Sequence, residues 1–558
     1  MQFAEAIRQD PLLTVACTRN QAKAIIRCMK ESLHNKVMHA CCQKILHLAM
    51  VENLSMIELV IENDVISSVT ECMRRHSDNE DVLDICCISH CAFNIFRLPL
   101  CIARAREAGA VEALVAAMKR FPTRLSLVRN ACAALGLISG TGYTPNQDRI
   151  RQAGGIEAIL TVIKDHAEEE VIIKAAFSAL TSLVEGAHEE NLELIGNQDG
   201  VKAIVDALQL HTEEAVLEEG CRILSRLSKV PRICELIREH GGIPVVLDAM
   251  SQNWEFDELQ TDACLILSNM ASCGRSCKMA IQNANGIGAI TMSMSNCIDV
   301  AEVQTLGCRA FGYLANDNFR YVVEIIEVQG FACIIAAIKA YPKDALVQIQ
   351  GFRVLMTMIN VMNSVQGMIA RVNGINLVIS ALKEHRQDVS VQQEAALLLS
   401  VLAKNNPDVQ ELIREAGGIE VTVGAMLTHP LHQLVLHAAC TAISVFAMSS
   451  KQDQDLVREA RGIEAIVAAM KQHRRCSPLQ DIASVALGRL SDGNQENQTR
   501  IREAGGIELV VRTMGAHRWE RNFPGEETIG EKARRALDQI GKDNRENQTR
   551  IAELTKIK

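Results

Sequence analysis

Histidines recur at one spacing in this sequence, and imidazole nitrogens at a fixed spacing could bind zinc. Seven of the fifteen stand ten residues after a recurring apolar residue. They are His76, His166, His211, His385, His429, His473 and His517. Packed helices stand about 8–10 Å apart, whereas Zn–N bonds are about 2 Å long, so equivalent histidines of stacked helices cannot share one ion. We interpret them as structural residues that cap helix carbonyls and complement a helix dipole.

The twenty cysteines raise the same question of metal or thiol chemistry. Six of them stand 20 or 21 residues after the recurring apolar residue: Cys87, Cys132, Cys221, Cys264, Cys308 and Cys440. Free cysteine behaves as a small apolar side chain, so we expect these six to fill one buried slot. The pair Cys273 and Cys277 and the cluster of Cys86, Cys87 and Cys91 lack companion ligands. We therefore expect no metal and no cofactor, although metal binding and oxidant sensing stay open for these two groups.

Paired glycines precede several apolar runs, as in REAGGIE from Arg414 and from Arg502, and RQAGGIE from Arg151. A glycine-rich turn before a helix can hold phosphate on backbone N–H groups. The P-loop and dinucleotide motifs also need a preceding strand and a fixed Gly or Lys/Ser pattern, and neither is present. A left-handed glycine that ends one helix accounts for every copy. We interpret the pair as a turn between two helices.

The spacing of these turns indicates how the chain is organised. The apolar residue after the glycine recurs at intervals of 42 to 45 residues, most often 44. Its copies are Ala22, Ile66, Val111, Ile156, Val201, Ile243, Ile287, Phe331, Ile375, Ile419, Ile463 and Ile507. About twelve copies of one unit cover the chain, which is typical of a solenoid whose units bury their apolar faces against their neighbours.

Each unit carries the pattern of three helices. A short polar helix ends at the glycine, and Ile507, Val510, Val511 and Met514 then fall on one helical face. An Ala-rich third helix follows in each copy, as in QEAALLLSVLA from Gln393. Small residues in this third helix let neighbouring helices approach closely.

These features resemble the armadillo-repeat family. The resemblance rests on third helices such as TDACLILSNMA from Thr261 and on glycines in register: Gly155, Gly200, Gly242, Gly286, Gly330, Gly374, Gly418, Gly462 and Gly506. Endings such as AMKQH are more weakly similar to cytosolic armadillo-repeat-containing proteins and to the armadillo segment of leucine-rich-repeat kinases. The resemblance implies an all-α, right-handed armadillo solenoid of three-helix repeats. We expect an N-terminal cap or partial repeat over residues 1–21, repeats over 22–545 and a C-terminal capping helix over 546–558.

The resemblance also implies a binding surface, because armadillo third helices line a concave groove into which two positions four residues apart point. Mapped onto this sequence, the candidate partner-binding residues are Arg222, Arg226, Asn269, Arg309, Tyr313, Arg353, Thr357, Leu397, Val401, Val445, Val485 and Arg489. Central arginines followed by aliphatic residues imply an acidic, partly apolar ligand that extends along the groove. The arginines could instead pair with acids of adjacent repeats, and the sequence leaves both interpretations open.

One role of this fold is not expected. Nuclear-import receptors of the armadillo class hold basic peptides on a ladder of Trp and Asn residues. At the mapped positions only Asn269 matches this ladder, and both tryptophans, Trp254 and Trp519, fall in expected loops. Binding of basic import cargo is therefore disfavoured.

Composition bears on nucleic-acid binding, membrane insertion and the cellular compartment. The formal net charge of −9 opposes general nucleic-acid binding, which needs an excess of Lys and Arg. No apolar run reaches the length of a membrane span, so we expect no membrane insertion. Many cysteines without a secretion signal indicate a reducing compartment. We expect a cytoplasmic protein, with nuclear or ciliary and cytoskeletal association as alternatives.

The leading hypothesis is a non-enzymatic scaffold or adaptor that binds an extended acidic-apolar protein segment in its concave groove. An enzyme is disfavoured because no catalytic triad, metal set or nucleotide loop fits the repeat register. The alternative is a rigid structural component of a larger cytoskeletal or ciliary assembly that makes contacts through its convex face and its ends.

Overall fold

The computed structural model describes residues 27, 64–94, 99–140, 144–186, 189–316, 318–522 and 527–556. Within these ranges the regular structure is helical, and no residue lies in a strand. The fold class expected from the sequence, an all-α armadillo solenoid, is confirmed. The repeat copy at Ala22 and the expected cap over residues 1–21 lie outside the described residues.

The chain divides into two compact units, Met1–Ala284 and Asn285–Lys558. The described helices of unit 1 are α1 (Val65–Arg75), α2 (Glu80–Asn94), α3 (Pro99–Glu107), α4 (Ala110–Arg120), α5 (Leu125–Ser139), α6 (Thr144–Gln152), α7 (Gly155–Asp165), α8 (Glu170–Val184), α9 (Glu189–Ile195), α10 (Gln198–Leu210), α11 (Glu214–Leu227), α12 (Pro231–Glu239), α13 (Gly242–Gln252), α14 (Asp257–Cys273) and α15 (Arg275–Asn283).

The described helices of unit 2 are α16 (Gly286–Asn296), α17 (Ala301–Ala315), α18 (Phe319–Glu327), α19 (Gly330–Ala340), α20 (Ala345–Val361), α21 (Val365–Arg371), α22 (Gly374–Glu384), α23 (Val389–Ala403), α24 (Pro407–Glu415), α25 (Gly418–Thr428), α26 (Gln433–Phe446), α27 (Lys451–Glu459), α28 (Gly462–Gln472), α29 (Ser477–Ser491), α30 (Gln495–Ala504), α31 (Gly506–Ala516), α32 (Ile529–Gly541) and α33 (Arg545–Lys556). Most of α33 lies in the segment expected to form the capping helix.

A cycle of three helices repeats within each unit. In one cycle, α24 has 9 residues, α25 has 11 and α26 has 14. Third helices pack chiefly on the third helices of adjacent repeats: α17, α20, α23, α26, α29 and α32 form one consecutive series in unit 2. The apolar face that each repeat cannot bury alone is thereby covered by its neighbours.

Where both glycines are present, they form the turn between first and second helices, as expected. The prediction that a left-handed glycine accounts for every copy is wrong, because Asn285, Gln329, Asn373 and Arg461 take that conformation in other repeats and Gly200 lies inside α10. Gly417 is left-handed, with φ 77°, and its N–H bonds the carbonyl of Arg414 at 3.0 Å. Gly418 begins α25, and a Cβ atom there would lie 2.5 Å from Ile413 Cγ2 and 2.9 Å from the Ile413 carbonyl oxygen. The first glycine supplies an unusual backbone conformation, and the second permits close approach of the two helices.

The recurring histidines make structural contacts, as expected, but the prediction that they cap helix carbonyls is wrong for their side chains, because their rings bond loop carbonyls of the preceding repeat. His385 Nε2 lies 2.8 Å from the carbonyl oxygen of Pro342, and His429 Nε2 lies 2.8 Å from that of Arg386. His473 Nε2 lies 3.1 Å from the carbonyl oxygen of Pro430. Each ring therefore connects its own loop to the equivalent loop of the repeat before it.

Buried glutamines at the start of third helices form a second recurrent contact. Gln348 Nε2 donates to the carbonyls of Ile338 and Tyr341, both at 2.8 Å. The equivalent residues that hold the end of the second helix in this way are Gln260, Gln304, Gln392 and Gln480. These bonds satisfy carbonyls that the helix leaves unpaired at its C-terminus.

Candidate partner-binding row

The positions mapped from the sequence form a row on consecutive third helices of unit 2. This third-helix row consists of Arg309, Tyr313, Arg353, Thr357, Leu397, Val401, Val445, Val485 and Arg489. Each is partly exposed, whereas the residues directly beside it in the helix are mostly buried. Spacing of four residues within a helix and about 44 between helices produces this alignment.

The N-terminal part of the row encloses a pocket of about 450 Å³ between α17 and α20. Four predicted residues, Arg309, Tyr313, Arg353 and Thr357, line it together. Asn316 and Asn360 are among the lining residues that the sequence analysis missed. They stand 44 residues apart, each three residues after a predicted position, so the same repeat register would have identified them.

Arg353 lines the pocket and also pairs with an acid of the next repeat. Its Nε and Nη2 atoms donate to Glu394 Oε1 at 3.0 and 2.8 Å. The Glu394 side chain is 7% exposed, whereas that of Arg353 is 52% exposed. Arg353 therefore neutralises a buried carboxylate while part of its guanidinium faces the pocket.

The C-terminal part of the row is apolar. Leu397 and Val401 on α23, Val445 on α26 and Val485 on α29 are half-buried. They can contact aliphatic or aromatic groups of a ligand without a cavity. The row thus changes from polar and cationic to aliphatic along the unit.

Arg489 is the last residue of the row. Its Nη1 donates to the carbonyl oxygen of Ser444 at 3.1 Å and to Ser444 Oγ at 3.3 Å. Burial, with a contribution from nearby Arg535, lowers the pKa of this guanidinium. Arg489 therefore attaches α29 to α26.

In unit 1, Arg222 is surrounded by acids rather than open to a ligand. It forms ion pairs with Glu218, Glu219, Glu258 and Asp262. Its side chain is 24% exposed. These contacts give Arg222 a role in joining α11 to α14, and its binding of a partner stays a prediction.

The other two positions mapped in unit 1 are Arg226 and Asn269. Arg226, one turn after Arg222 on α11, is half-buried and has no ion pair among the described residues. Asn269 Nδ2 donates to Ser228 Oγ at 3.0 Å. Their predicted contacts with a partner likewise stay predictions.

The cysteines of the recurrent third-helix slot are buried, as expected. Cys132, Cys264, Cys308 and Cys440 have no exposed surface. Burial raises the pKa of Cys132, Cys308 and Cys440 to about 12, so these thiols are protonated at neutral pH. No group of three or more His, Cys, Asp or Glu side chains suited to a metal ion occurs in the described ranges.

No single described helix is long and apolar enough to cross a membrane. Two bent pairs meet the length and composition criteria only when taken together. They are α18 with α19, bent by 73°, and α21 with α22, bent by 76°.

Comparison with known proteins identifies the family. Residues 156–524, more than half of the chain, match the LRRK2 ARM repeat family. The chain belongs to this family. The match agrees with the glycine turns, the 44-residue register and the third-helix packing described above. No curated protein sequence matches the chain.

Two solved structures share the fold of this LRRK2 ARM repeat member. One is a crystal structure of an engineered protein, with a TM-score of 0.65 and 24% identity over 77% of this chain and 98% of that chain. The other comes from work on a phosphorylation switch that controls the interaction between cadherin and β-catenin. It has a TM-score of 0.69 and 14% identity over 87% of this chain and 94% of that chain. At such identities the likeness concerns the fold alone.

Proposed function

We propose that this protein is a non-enzymatic interaction scaffold whose third-helix row in unit 2 binds an extended segment of a partner protein. The observation that carries the proposal is the row itself, in which equivalent positions of five consecutive third helices are left partly exposed. A linear ligand can contact such a surface repeat by repeat. We expect a cytoplasmic adaptor.

The chemistry of the row suggests the composition of the segment. In the pocket, Arg309, Arg353 and the amides of Asn316 and Asn360 offer hydrogen-bond donors. Arg353 remains half exposed although it pairs with Glu394, so its guanidinium can also meet a ligand. Acidic or carbonyl-rich residues therefore suit the pocket, and apolar residues further along the segment suit the Leu397 to Val485 portion.

Tyr313 is the side chain in the row best suited to anchor a ligand. It is 42% exposed and lies in the wall of the pocket. Tyrosine combines a large apolar surface with a hydroxyl group, and such residues dominate binding energy in interfaces. Contact with a partner would cover it without a rearrangement of the third helices.

We expect Arg309→Gln/Tyr313→Ala to weaken capture of the partner from the native cell at least about tenfold, because it removes a hot-spot ring and a charged donor. The matched variant Arg320→Gln/Phe319→Ala removes an equivalent pair from α18, where Phe319 is 59% exposed and Arg320 is exposed. Quantitative mass spectrometry of proteins retained by each variant provides the measurement. Equal losses for both variants would contradict binding in the row.

The same comparison tests the alternative structural role. A rigid component held by its convex face and its ends would keep its partners when Arg309 and Tyr313 are replaced. Stable co-purification that is insensitive to these residues, but lost with Arg320→Gln/Phe319→Ala, would favour that role.

A further inference from the structure

Unit 2 has a second surface, formed by the loops that join second and third helices in its last four repeats. This C-terminal loop edge comprises residues 385–388, 429–432, 473–476 and 517–522. The recurring histidines hold the loops side by side. His429 bonds the Arg386 carbonyl, and His473 bonds that of Pro430. Ser477 Oγ and His517 Nδ1, 3.2 Å apart, connect the last two repeats.

Apolar side chains protrude at this edge. Trp519 is 80% exposed and Leu431 is 66% exposed. Leu427 and Leu434, which flank the second loop, are 52% and 64% exposed. The Arg518 guanidinium lies 4.9 Å from the centre of the Trp519 ring and leaves most of the ring in solvent. Large apolar groups grouped in this way mark an interaction surface.

The edge is also basic, although the protein as a whole is acidic. The residues of this edge contain five arginines and two carboxylates, and the last loop continues in the sequence with Glu526 and Glu527; the arginines are Arg386, Arg474, Arg475, Arg518 and Arg521. All five are exposed, and none forms an ion pair with a described residue.

Both carboxylates of the edge are already engaged. Asp388 accepts from the N–H groups that begin α23, and Glu520 bonds Ser477 and His517. The arginines outnumber these carboxylates and form no ion pair with them, so positive charge remains available to an anionic partner.

The equivalent loops of unit 1 have the opposite charge. Residues 76–79, 121–124, 166–169, 211–213 and 253–256 together contain five carboxylates and one arginine, Arg124, which pairs with Glu80 and Asp81. The repeat fold itself therefore does not require basic loops. Summed over the loops of each group, a net positive charge is found only at the C-terminal loop edge.

We propose that the C-terminal loop edge docks on an anionic lipid surface. Arginine guanidinium groups bind phosphate and carboxylate headgroups, and exposed Trp and Leu enter the interfacial layer. Protruding side chains on four adjacent loops suit a flat partner better than a narrow segment. Such docking needs no membrane-spanning helix, and it uses a surface separate from the third-helix row.

Vesicle co-sedimentation of the full chain tests the proposal with phosphatidylcholine vesicles that contain or lack phosphatidylserine. We expect binding only in the presence of phosphatidylserine. Arg474→Glu/Arg475→Glu should lower the partition coefficient at least about tenfold, since each basic residue near an anionic surface contributes to binding. Trp519→Ser/Leu431→Ser should lower it about fivefold or more by removing interfacial groups.

Arg512→Glu/Arg545→Glu is the matched control, because it makes the same change in net charge at exposed sites on α31 and α33. It should bind within about twofold of wild type, as surface substitutions outside the contact do.

Three results would overturn the proposal. One is binding independent of phosphatidylserine, and another is equal loss in the control. The third is lipid-free self-association that Arg474→Glu/Arg475→Glu abolishes, because the edge would then bind a second copy of the chain.

Discussion

Gly418→Val is expected to destabilise unit 2 by about 3 kcal/mol, at the upper end of the usual cost of overpacking. A Cβ atom at this position would approach Ile413 Cγ2 to 2.5 Å and the Ile413 carbonyl oxygen to 2.9 Å. The carbonyl belongs to the last turn of α24 and cannot move without disturbing that helix. Hydrogen exchange of the α24 and α25 amides measures the local opening free energy.

Gly417→Asn is the matched control for this prediction. Gly417 needs a left-handed backbone, and Asn285 and Asn373 adopt that conformation at the equivalent place in other repeats, both with φ 60°. We expect a cost of less than about 1 kcal/mol. A Gly418→Val cost no greater than that of Gly417→Asn would contradict the close-approach explanation.

The chain itself indicates how the steric problem can be relieved. In the Val111 repeat the second glycine is replaced by Ala110, and the residue five positions earlier is Ala105 instead of the usual isoleucine. Both alanines are fully buried. Ile413→Ala should therefore lower the cost of Gly418→Ala in a double-mutant cycle.

Arg222→Met is expected to destabilise unit 1 by about 3 kcal/mol at neutral pH, because it leaves buried carboxylates without their cation. Glu219 and Asp262 have side-chain exposures of only 15% and 12%. Arg226→Met is the matched control on the same helix, and it should cost less than about 0.5 kcal/mol. The measurement is hydrogen exchange of the α11 and α14 amides.

The pH dependence of the Arg222→Met effect follows from Glu219. Burial raises the pKa of the Glu219 carboxyl, and Arg222 partly opposes that rise. A folded-state pKa above the unfolded value means that folding becomes less favourable as pH rises through that window. Removing Arg222 raises the pKa further. The loss should therefore shrink as pH falls through the folded-state pKa values of the variant and of the wild type, both of which lie above the unfolded value of about 4.3, and a loss that is constant with pH would contradict this account.

Much of the fold could be predicted from the sequence because the repeat fixes the register. The glycine turn at Gly417 and Gly418 recurs at the same helix junction in several repeats, so helix order and buried faces follow from it. The same register predicts Tyr313 and Thr357 as groove positions, and both residues line one pocket. Free cysteines such as Cys308 were recognised as core residues for the same reason.

Other features depend on contacts between repeats that the pattern does not specify. Whether an arginine faces a ligand or an acid depends on side chains about 40 residues away, as with Arg353 and Glu394. Arg222 has acids from both its own helix and the next repeat. The boundary between the two units, after Ala284, also could not be predicted, because no change of composition and no linker marks it.

The sequence predicts that the recurring histidines are structural, but it does not predict which parts of the chain they connect. Their spacing indicates a repeated structural contact, and the structure adds that this contact aligns the loops of successive repeats. That alignment brings exposed residues such as Trp519 and Arg474 into one surface. Single exposed apolar or basic residues on separate loops would not indicate an interaction site.

The central claim, that a partner segment lies along the third-helix row, is tested most directly by site-specific photo-crosslinking. A photoreactive residue is placed in turn at Thr357, Val401 and Val445, and at Phe319, Leu412 and Arg512 as exposed sites on first and second helices of unit 2. The account predicts crosslinks from the three row positions to successive residues of one partner segment. Crosslinks confined to Phe319, Leu412 and Arg512 would contradict it.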